Sequence, residues 1–493
     1  MQRMREHTAP RVAVIGGGIS GLAAAFHLRE LADAAHTPLD VQLLEQSGRI
    51  GGSIQTLYPQ GGWIAEAGPD VFVMEKPWAL ALVHRLGLGP EVLAPREEFR
   101  HTHVVRNGRL VEIPEGFLLM APVKALPFLL SPLLSPWGKL RVGMEPLVPR
   151  RKSEEDETLA SFVQRRFGHE LLDRVVQPLL GGIYSADPSK LSLRSSMPRF
   201  AQMEGDRGSV LLAMWLAHRK AQARKKDKTA PSGPLMGLRN GMGTLVDALA
   251  ARLEDDIRTD MEVTALDLLP RNDGWRITLA GKGPVLADAV ICAAPTHAAC
   301  RLLEQASPRL ASGLRAIEHS SVITVNLAFR AADCPPLPRS HGFVVPFKEH
   351  RSLMAATFVH QKFIGRVPED VVLLRAFLGG ALQPEMMGRT DEEIFSLCKK
   401  EFRELLGLTA APIWAHLARW DRSLPQYMVG HQHRIADIQR ELEMLPGLAL
   451  AGSAFLGGGL ADCIHSGEIA AEKTFAALAR AAENTVPAPA HAG

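Results

Sequence analysis

A glycine-rich turn, Gly16-Gly17-Gly18-Ile19-Ser20-Gly21, lies almost at the start of the chain. It follows an apolar run, Arg11 to Ile15, that reads as a buried strand, and it opens an apolar-rich helix over Leu22 to Ala32. The spacing of Gly16, Gly18 and Gly21 is G-x-G-x-x-G, and the strand–turn–helix setting makes it informative. Gly16 makes the tight turn, Gly18 lets a pyrophosphate approach the backbone, and Gly21 lets the helix pack on the strand. The helix start offers free N–H groups and a partial positive charge to phosphates. A second buried strand, Val41 to Leu44, ends at Glu45. A carboxylate there accepts from ribose hydroxyls and repels a 2′-phosphate. The chain therefore opens with a Rossmann-like βαβ unit of an α/β fold.

The segments that follow choose between dinucleotides. After Glu45 and Gln46 comes Ser47-Gly48-Arg49-Ile50-Gly51-Gly52-Ser53. Its glycines let the chain pass close to a diphosphate and a flavin, and Arg49 adds positive charge. A simple NAD site does not need this second loop. Glu66-Ala67-Gly68-Pro69-Asp70-Val71 makes a further tight turn. Near the C-terminus, Ala451-Gly452-Ser453 precedes Gly457-Gly458-Gly459-Leu460-Ala461-Asp462, which opens a last helix. A positive helix end suits the electron-rich pyrimidine edge of a reduced flavin. Together these segments point to FAD.

With 493 residues the chain is expected to form two to four units. Lys plus Arg is 56 and Asp plus Glu is 53, a net charge of +3, and no basic block is interleaved with aromatics, so nucleic acid is not an expected partner. The cysteines Cys292, Cys300, Cys334, Cys398 and Cys463 make no CxxC pair and have no His at ligand spacing. They read as reduced thiols of a cytoplasmic protein, and no metal is expected. The polar start, Met1 to Pro10, lacks the apolar region of a signal peptide. No run reaches the roughly 20 apolar residues that span a bilayer. The nearest, Gly116 to Pro136, is interrupted by Pro122, Pro127 and Pro132.

Elsewhere the pattern predicts a hairpin over Val104 to Pro114 around Asn107-Gly108. It predicts helices over Trp78–Leu86, Leu159–Gln177, Met242–Leu253, Glu392–Leu406 and Ile464–Ala479, and strands over Val285–Ala293, Val322–Phe329, Val371–Phe377 and Leu448–Ala451. A basic cluster, Arg224, Lys225, Lys226 and Lys228, leads into a loop at Ala230–Pro234. No catalytic dyad emerges. His297, His319, His360, His416 and His465 are scattered singly, Asp462 shows no partner, and Cys463 does not read as a nucleophile.

Several segments resemble the flavin-containing amine oxidase superfamily, and more closely the oxygen-dependent porphyrinogen oxidases of haem biosynthesis. They are VAVIGGGISGLAAAFHL (Val12–Leu28), LLEQSGRIGGSIQT (Leu43–Thr56), EAGPDVF (Glu66–Phe72), PLLGGIYSADPSKLSL (Pro178–Leu193), RWDRSLPQY (Arg419–Tyr427) and LAGSAFLGGGLADCIHSG (Leu450–Gly467). The resemblance implies an FAD domain from residues 1–87, 235–296 and 425–480. It implies a helical, membrane-binding-like domain at 88–220 and a mixed-sheet substrate domain at 298–424. The tail, 481–493, is rich in Ala and Pro and is expected to be disordered. By the same resemblance, FAD is contacted by Gly16 to Gly21, Glu45, Gln46, Arg49, Ser53, Gly68, Pro69, Asp70, Val71, Val263, Trp420, Gly458, Gly459 and Leu460. The implied substrate is a porphyrinogen, protoporphyrinogen IX or coproporphyrinogen III. Six electrons leave it through FAD to O2, which gives H2O2.

A propionate of that substrate needs a cation, and Arg100 and Arg106 are the candidates. Some relatives carry an arginine where this chain has Thr102. The resemblance leaves a homodimer and a peripheral contact with the inner face of the cell membrane open. A carotenoid desaturase and an amine oxidase are the rival oxidases. The chain has only three tyrosines and 6% aromatic residues, which argues against the aromatic cage of many amine oxidases. A non-enzymatic rival is a binder of lipidated proteins, like the Rab GDP-dissociation inhibitors, which lack a complete flavin site.

Overall fold

The computed structural model describes residues 9–118, 120–153, 155–224 and 234–483. Lys225, Lys226, Lys228, residues 230–233 and the tail beyond 483 lie outside them. The first unit is built on five parallel strands. Their order is Ile257–Arg258, Asp40–Leu44, Arg11–Ile15, Ala289–Cys292 and Leu448–Leu450. Arg11–Ile15 is central, so both its faces are covered, as in any parallel sheet. Val12 and Val14 pack into one core with Leu22, Ala461 and Ile464, while Ala13 and Ile15 pack into another with Trp275 and Ile277. Trp275 belongs to a three-stranded antiparallel layer, Val263–Leu268, Trp275–Leu279 and Val285–Ala287. The single strand expected over Val285–Ala293 is thus two strands in two sheets. They divide at Asp288, which is bonded to Arg11 through its backbone N–H and its carboxylate.

The first helix, Ile19–Ala34, lies against the last, Leu460–Glu483. The last helix runs to Glu483, so it takes in the start of the expected tail. The approach of the two helices is close. A Cβ placed on Gly467 would lie 2.2 Å from the Ser20 carbonyl oxygen.

The second unit is a seven-stranded sheet in the order Trp414–Pro425, His319–Arg330, Val371–Gly379, Ala355–Phe358, Gly342–Val344, Thr102–Arg106, Arg109–Glu112. Only the pairing of Gly342–Val344 with Thr102–Arg106 is parallel, so the sheet is mixed. Side chains alternate between its faces. Val325, Leu327, Ala376, Leu378 and Phe358 form one face, sealed by Ile394, Cys398 and Phe402 of the helix Asp391–Leu406. That helix starts with a capping box between Thr390 and Glu393. The other face shows Thr324, Asn326, Arg375, Phe377, Val344, Thr102 and Val104, which are aligned by register.

The hairpin Thr102–Glu112 turns at Asn107 and Gly108, both with positive φ. It joins this sheet, so segment 88–220 is not helical throughout. The remainder packs as helices around Phe162, Val163, Phe167, Val175 and Val176. The helix expected over Leu159–Gln177 is broken, because Gly168 (φ 95°) ends Leu159–Phe167 and a new turn begins at His169. Helices Thr296–Leu302 and Pro308–Arg315 bury Ala299, Leu310 and Leu314 against Val290 and Cys292. By packing they extend the parallel-sheet unit beyond residue 296.

Candidate active site

Gly16 sits at the end of the central strand with φ 106°, and its N–H donates to the Leu44 carbonyl at 2.8 Å. A Cβ on Gly21 would stand 1.9 Å from the Gly16 oxygen, so only glycine lets the helix begin there. Gly18 is different. A Cβ on it would meet only the Gly52 Cα, at 3.9 Å, so its side is an open groove floored by two glycines. Gly18 is also the N-cap of Ile19–Ala34 and supplies no side chain to the first-turn N–H groups. Ile19 and Ser20 are buried, so their side chains are not exposed in the groove. This open, donor-rich cradle fits a diphosphate.

The Glu45 carboxylate accepts from the Gly17 N–H at 2.7 Å and from the Ser47 N–H and hydroxyl at 2.9 and 2.7 Å. These bonds fix it beside the cradle while leaving it partly exposed. Gln46 next to it is exposed. Arg49 donates to the carbonyls of Ile50, Gly52 and Ile54 at 3.1, 2.6 and 3.1 Å, so it braces its own loop. The Gly51 N–H bonds the Gly17 carbonyl at 2.7 Å and holds that loop on the first turn. Val263 lies two residues beyond Met261, whose N–H donates to the Glu45 carbonyl at 2.9 Å. It is therefore at the Glu45 end of the groove.

Ser53 and Gly68 touch. A Cβ on Gly68 would lie 1.8 Å from the Ser53 oxygen. The turn Glu66-Ala67-Gly68 is gripped from the Thr324 face of the mixed sheet, one carbonyl after another. Asn326 Nδ2 donates to the Glu66 oxygen at 3.0 Å. The Thr324 hydroxyl and Trp420 Nε1 donate to the Ala67 oxygen at 2.7 and 2.9 Å. Arg375 Nη1 donates to the Gly68 oxygen at 2.9 Å. Trp420 is thus placed where this turn meets the mixed sheet. The Asp70 side chain points away, into an ion pair with Lys362 at 2.7 Å, and only its backbone and those of Pro69 and Val71 line the turn. The two cations hold the Asp70 carboxyl well below the usual range, against the pull of burial.

Gly458 and Gly459 precede the last helix. The Tyr427 hydroxyl donates to the Ser453 oxygen at 2.6 Å and stands 3.0 Å from where a Gly458 Cβ would be. Asp462, which had no partner in the sequence, pairs with Lys76 Nζ at 2.6 Å. That bond ties the chain just after Phe72–Val73 to the helix that Leu460 opens. Cys463 is buried, and its thiol is pushed up to about 12, which leaves it without nucleophilic character.

Arg100 and Arg106 do not converge. Arg100 is exposed and paired with Glu97 at 3.2 Å. Arg106 ends the strand Thr102–Arg106, on the same side as Thr102 and Val104, and its Nε has no partner. Six extended residues separate them by up to about 20 Å. Burial holds the histidines His297, His319, His360 and His416 below their ordinary value, His297 down to about 4. Thr324, Asn326, Arg375 and Lys362 were not foreseen. Arg375 left one trace, a charge inside the apolar strand Val371–Phe377.

Residues 19–474 match the family model described as flavin containing amine oxidoreductase. Coproporphyrinogen III oxidase of Bacillus subtilis is 33% identical over 93% of this chain and 96% of its own length. Human protoporphyrinogen oxidase is 32% identical over 93% and 97%. The crystal structure of a putative protoporphyrinogen oxidase from Exiguobacterium superposes with TM-score 0.84 at 29% identity, over 96% of this chain and 99% of that one. Reduced UDP-galactopyranose mutase, at 17% identity and TM-score 0.69 over 95% of this chain and 96% of its own, shares the fold alone. With the cradle at Gly18 and Gly52 open to a diphosphate, the chain belongs to the flavin-containing amine oxidoreductase family and is built for FAD.

Proposed function

We propose that the chain is an FAD- and O2-dependent porphyrinogen oxidase of haem biosynthesis. Its substrates are coproporphyrinogen III or protoporphyrinogen IX, the compounds that its relatives' names carry. One observation supports this most: the turn Glu66–Gly68 is bonded directly to the sheet face that looks toward the helical unit. Bound along that turn, FAD supplies the electron acceptor that O2 later empties as H2O2. The protein's part is to position and to exclude water. Val344 and Phe377 on the sheet and Gly182 on the facing helix Gln177–Tyr184 make an apolar seam between the two, the kind of surface a flat ring packs on. Arg106 is the better placed of the two arginines for a propionate, since Arg100 is already paired. A separate cleft of about 400 Å³ is lined by Asp187, Glu318 and Asp421 as well as Lys190 and His319, and its excess of carboxylates over its one lysine disfavours a propionate. Anaerobic mixing with each porphyrinogen tests the reading. Bleaching of the flavin band near about 450 nm by either substrate is expected, and bleaching by neither overturns it.

We further infer that the helical unit rests on a membrane. The stretch Gly116–Pro136 is neither wholly buried nor wholly exposed. Phe128, Leu133 and Leu134 enter the core, while Leu126, Leu129 and Leu130 face out. The exposed side continues through Trp137, Leu140, Met144 and Leu147, of which Trp137 is 79% exposed. Arg150 and Lys152 are exposed beside it, and Lys139 is half-buried. No described helix is long and apolar enough to cross a bilayer, so this is a surface contact. Flotation with phosphatidylglycerol vesicles should fall at least about tenfold in the triple variant Leu130→Ser, Trp137→Ser, Leu147→Ser.

A further inference from the structure

Behind the turn Glu66–Asp70 lies a buried cluster with unequal charge. Glu66, Asp70, Lys362, Arg366 and Arg375 are each less than a tenth exposed. Asp70 pairs with Lys362 at 2.7 Å and Arg375 at 3.3 Å, and Glu66 stands 3.6 Å from Arg366. Glu66 also accepts from the Thr56 hydroxyl and the Met242 N–H, both at 2.7 Å. The two nearest further titratable groups, Tyr58 and His341, add no charge: burial raises the Tyr58 phenol and pushes His341 down to about 4. Three cations therefore face two carboxylates, with the Lys362 ammonium held against Asp70. The Nε atoms of Arg366 and Arg375 have no partner. An uncompensated buried charge is costly, and its natural counterpart is an anion that arrives at the site.

We propose that Lys362 and Arg375 are positioning residues whose excess positive charge favours the reduced flavin. Two electrons and one proton leave an isoalloxazine with one negative charge, and Arg375 is bonded to the very carbonyls, of Glu66 and Gly68, that carry the cofactor turn. The proposal rests on FAD lying along Gly68–Val71.

The test uses the FAD-loaded enzyme without substrate. Sulfite is the probe, because its addition also leaves a negative charge on the flavin. Lys362→Met should weaken sulfite binding about tenfold, the scale of one interior unit charge. The two-electron potential should drop by about 30 mV, the same factor converted. Lys362→Arg should stay within about twofold of wild type. Glu66→Gln leaves Arg366, which stays charged, without its carboxylate and so raises the excess charge; it should move both readouts the opposite way, and it decides the matter if Lys362→Met does not fold. A purely structural cluster would not give opposite signs. Wild-type sulfite affinity and potential in a yellow Lys362→Met enzyme overturn the proposal. A colourless wild-type protein would instead sink the FAD reading itself.

Discussion

The helical unit buries a second ion cluster, and its contrast with the one behind the cofactor turn is instructive. There, Arg151, Arg165 and Arg166 meet Glu145, Glu157 and Glu204, three charges of each sign. Arg166 and Glu145 are wholly buried, yet every nitrogen of the Arg166 guanidinium is bonded. Glu145 in turn accepts from the Ser209 hydroxyl and from the N–H groups of Val210 and Leu211, at the start of the helix Val210–Arg224. The cluster is charge-balanced without a ligand, although Arg165 Nε is buried without a partner. It fastens Glu145–Leu147, which ends the exposed apolar band, to the helix Leu159–Phe167. The cofactor-side cluster has an extra cation. Balance marks a strut, and imbalance marks a place prepared for something absent from the chain.

The sharpest way to break this contrast is Arg166→Met. It strands a buried Glu145 and should cost about 3–5 kcal/mol. Denaturation followed by far-UV circular dichroism would read the loss. If the cluster is only a strut, the FAD that remains bound should keep the wild-type potential. A shifted potential would mean that the two clusters are not different in kind.

Gly467→Ala probes the cofactor side from a distance. The added methyl would press on the Ser20 oxygen at 2.2 Å, and backbone cannot step aside as a side chain can. Overpacking of this kind costs about 1–3 kcal/mol, and here the upper end is expected. Because Ser20 belongs to the glycine turn, FAD occupancy, read from the visible absorbance per chain, should fall together with Tm. Full occupancy would show that the helix pair does not shape the cradle.

Local features were legible in the sequence, and long-range ones were not. The turn at Gly16–Gly21, the hairpin at Asn107-Gly108 and the helix ending at Leu406 are written in neighbouring residues. So is Glu45, which needs only a strand end. Lys76 and Asp462 are 386 positions apart, and Trp420 lies 353 positions from Ala67. Nothing local marks such partners, because the sheets bring them together. The same holds for the unit boundaries. Helices after residue 296 look like any amphipathic helices, and only their packing on Val290 and Cys292 assigns them.

His431 gives a pH-dependent probe beside the C-terminal glycine segment. Its Nε2 lies 3.0 Å from the Ala454 oxygen, and its Nδ1 is buried without a partner. Burial pushes the imidazole down to about 4, aided by Arg434. The ring is neutral in the fold but takes up a proton on unfolding below about 6.5, its ordinary value. Stability from this group is therefore full above about pH 6.5 and lost as pH falls toward about 4, reaching about 2 kcal/mol near pH 5. Tm against pH should be flatter in His431→Gln than in wild type across that window. Parallel curves would place the proton elsewhere.

Trp420→Phe is the mildest probe of the bond between cofactor turn and sheet. The ring stays, and the Nε1 donor to the Ala67 oxygen, with its longer bond of 3.3 Å to Thr324 Oγ1, is lost. Thr324 still donates to that oxygen at 2.7 Å, so the carbonyl is not orphaned and the cost should be about 1 kcal/mol. Thr324→Val alone should cost a similar amount, since the indole remains. Both together leave a buried carbonyl with no donor, so the double variant should lose more than the sum of the two. The cycle can be read twice, in stability and in kcat/KM with a porphyrinogen. A greater-than-additive loss in both would show that the turn is held by redundant donors because the chemistry depends on its position. Additive losses confined to stability would reduce the grip on Ala67 to the same kind of strut that Arg166 provides in the helical unit.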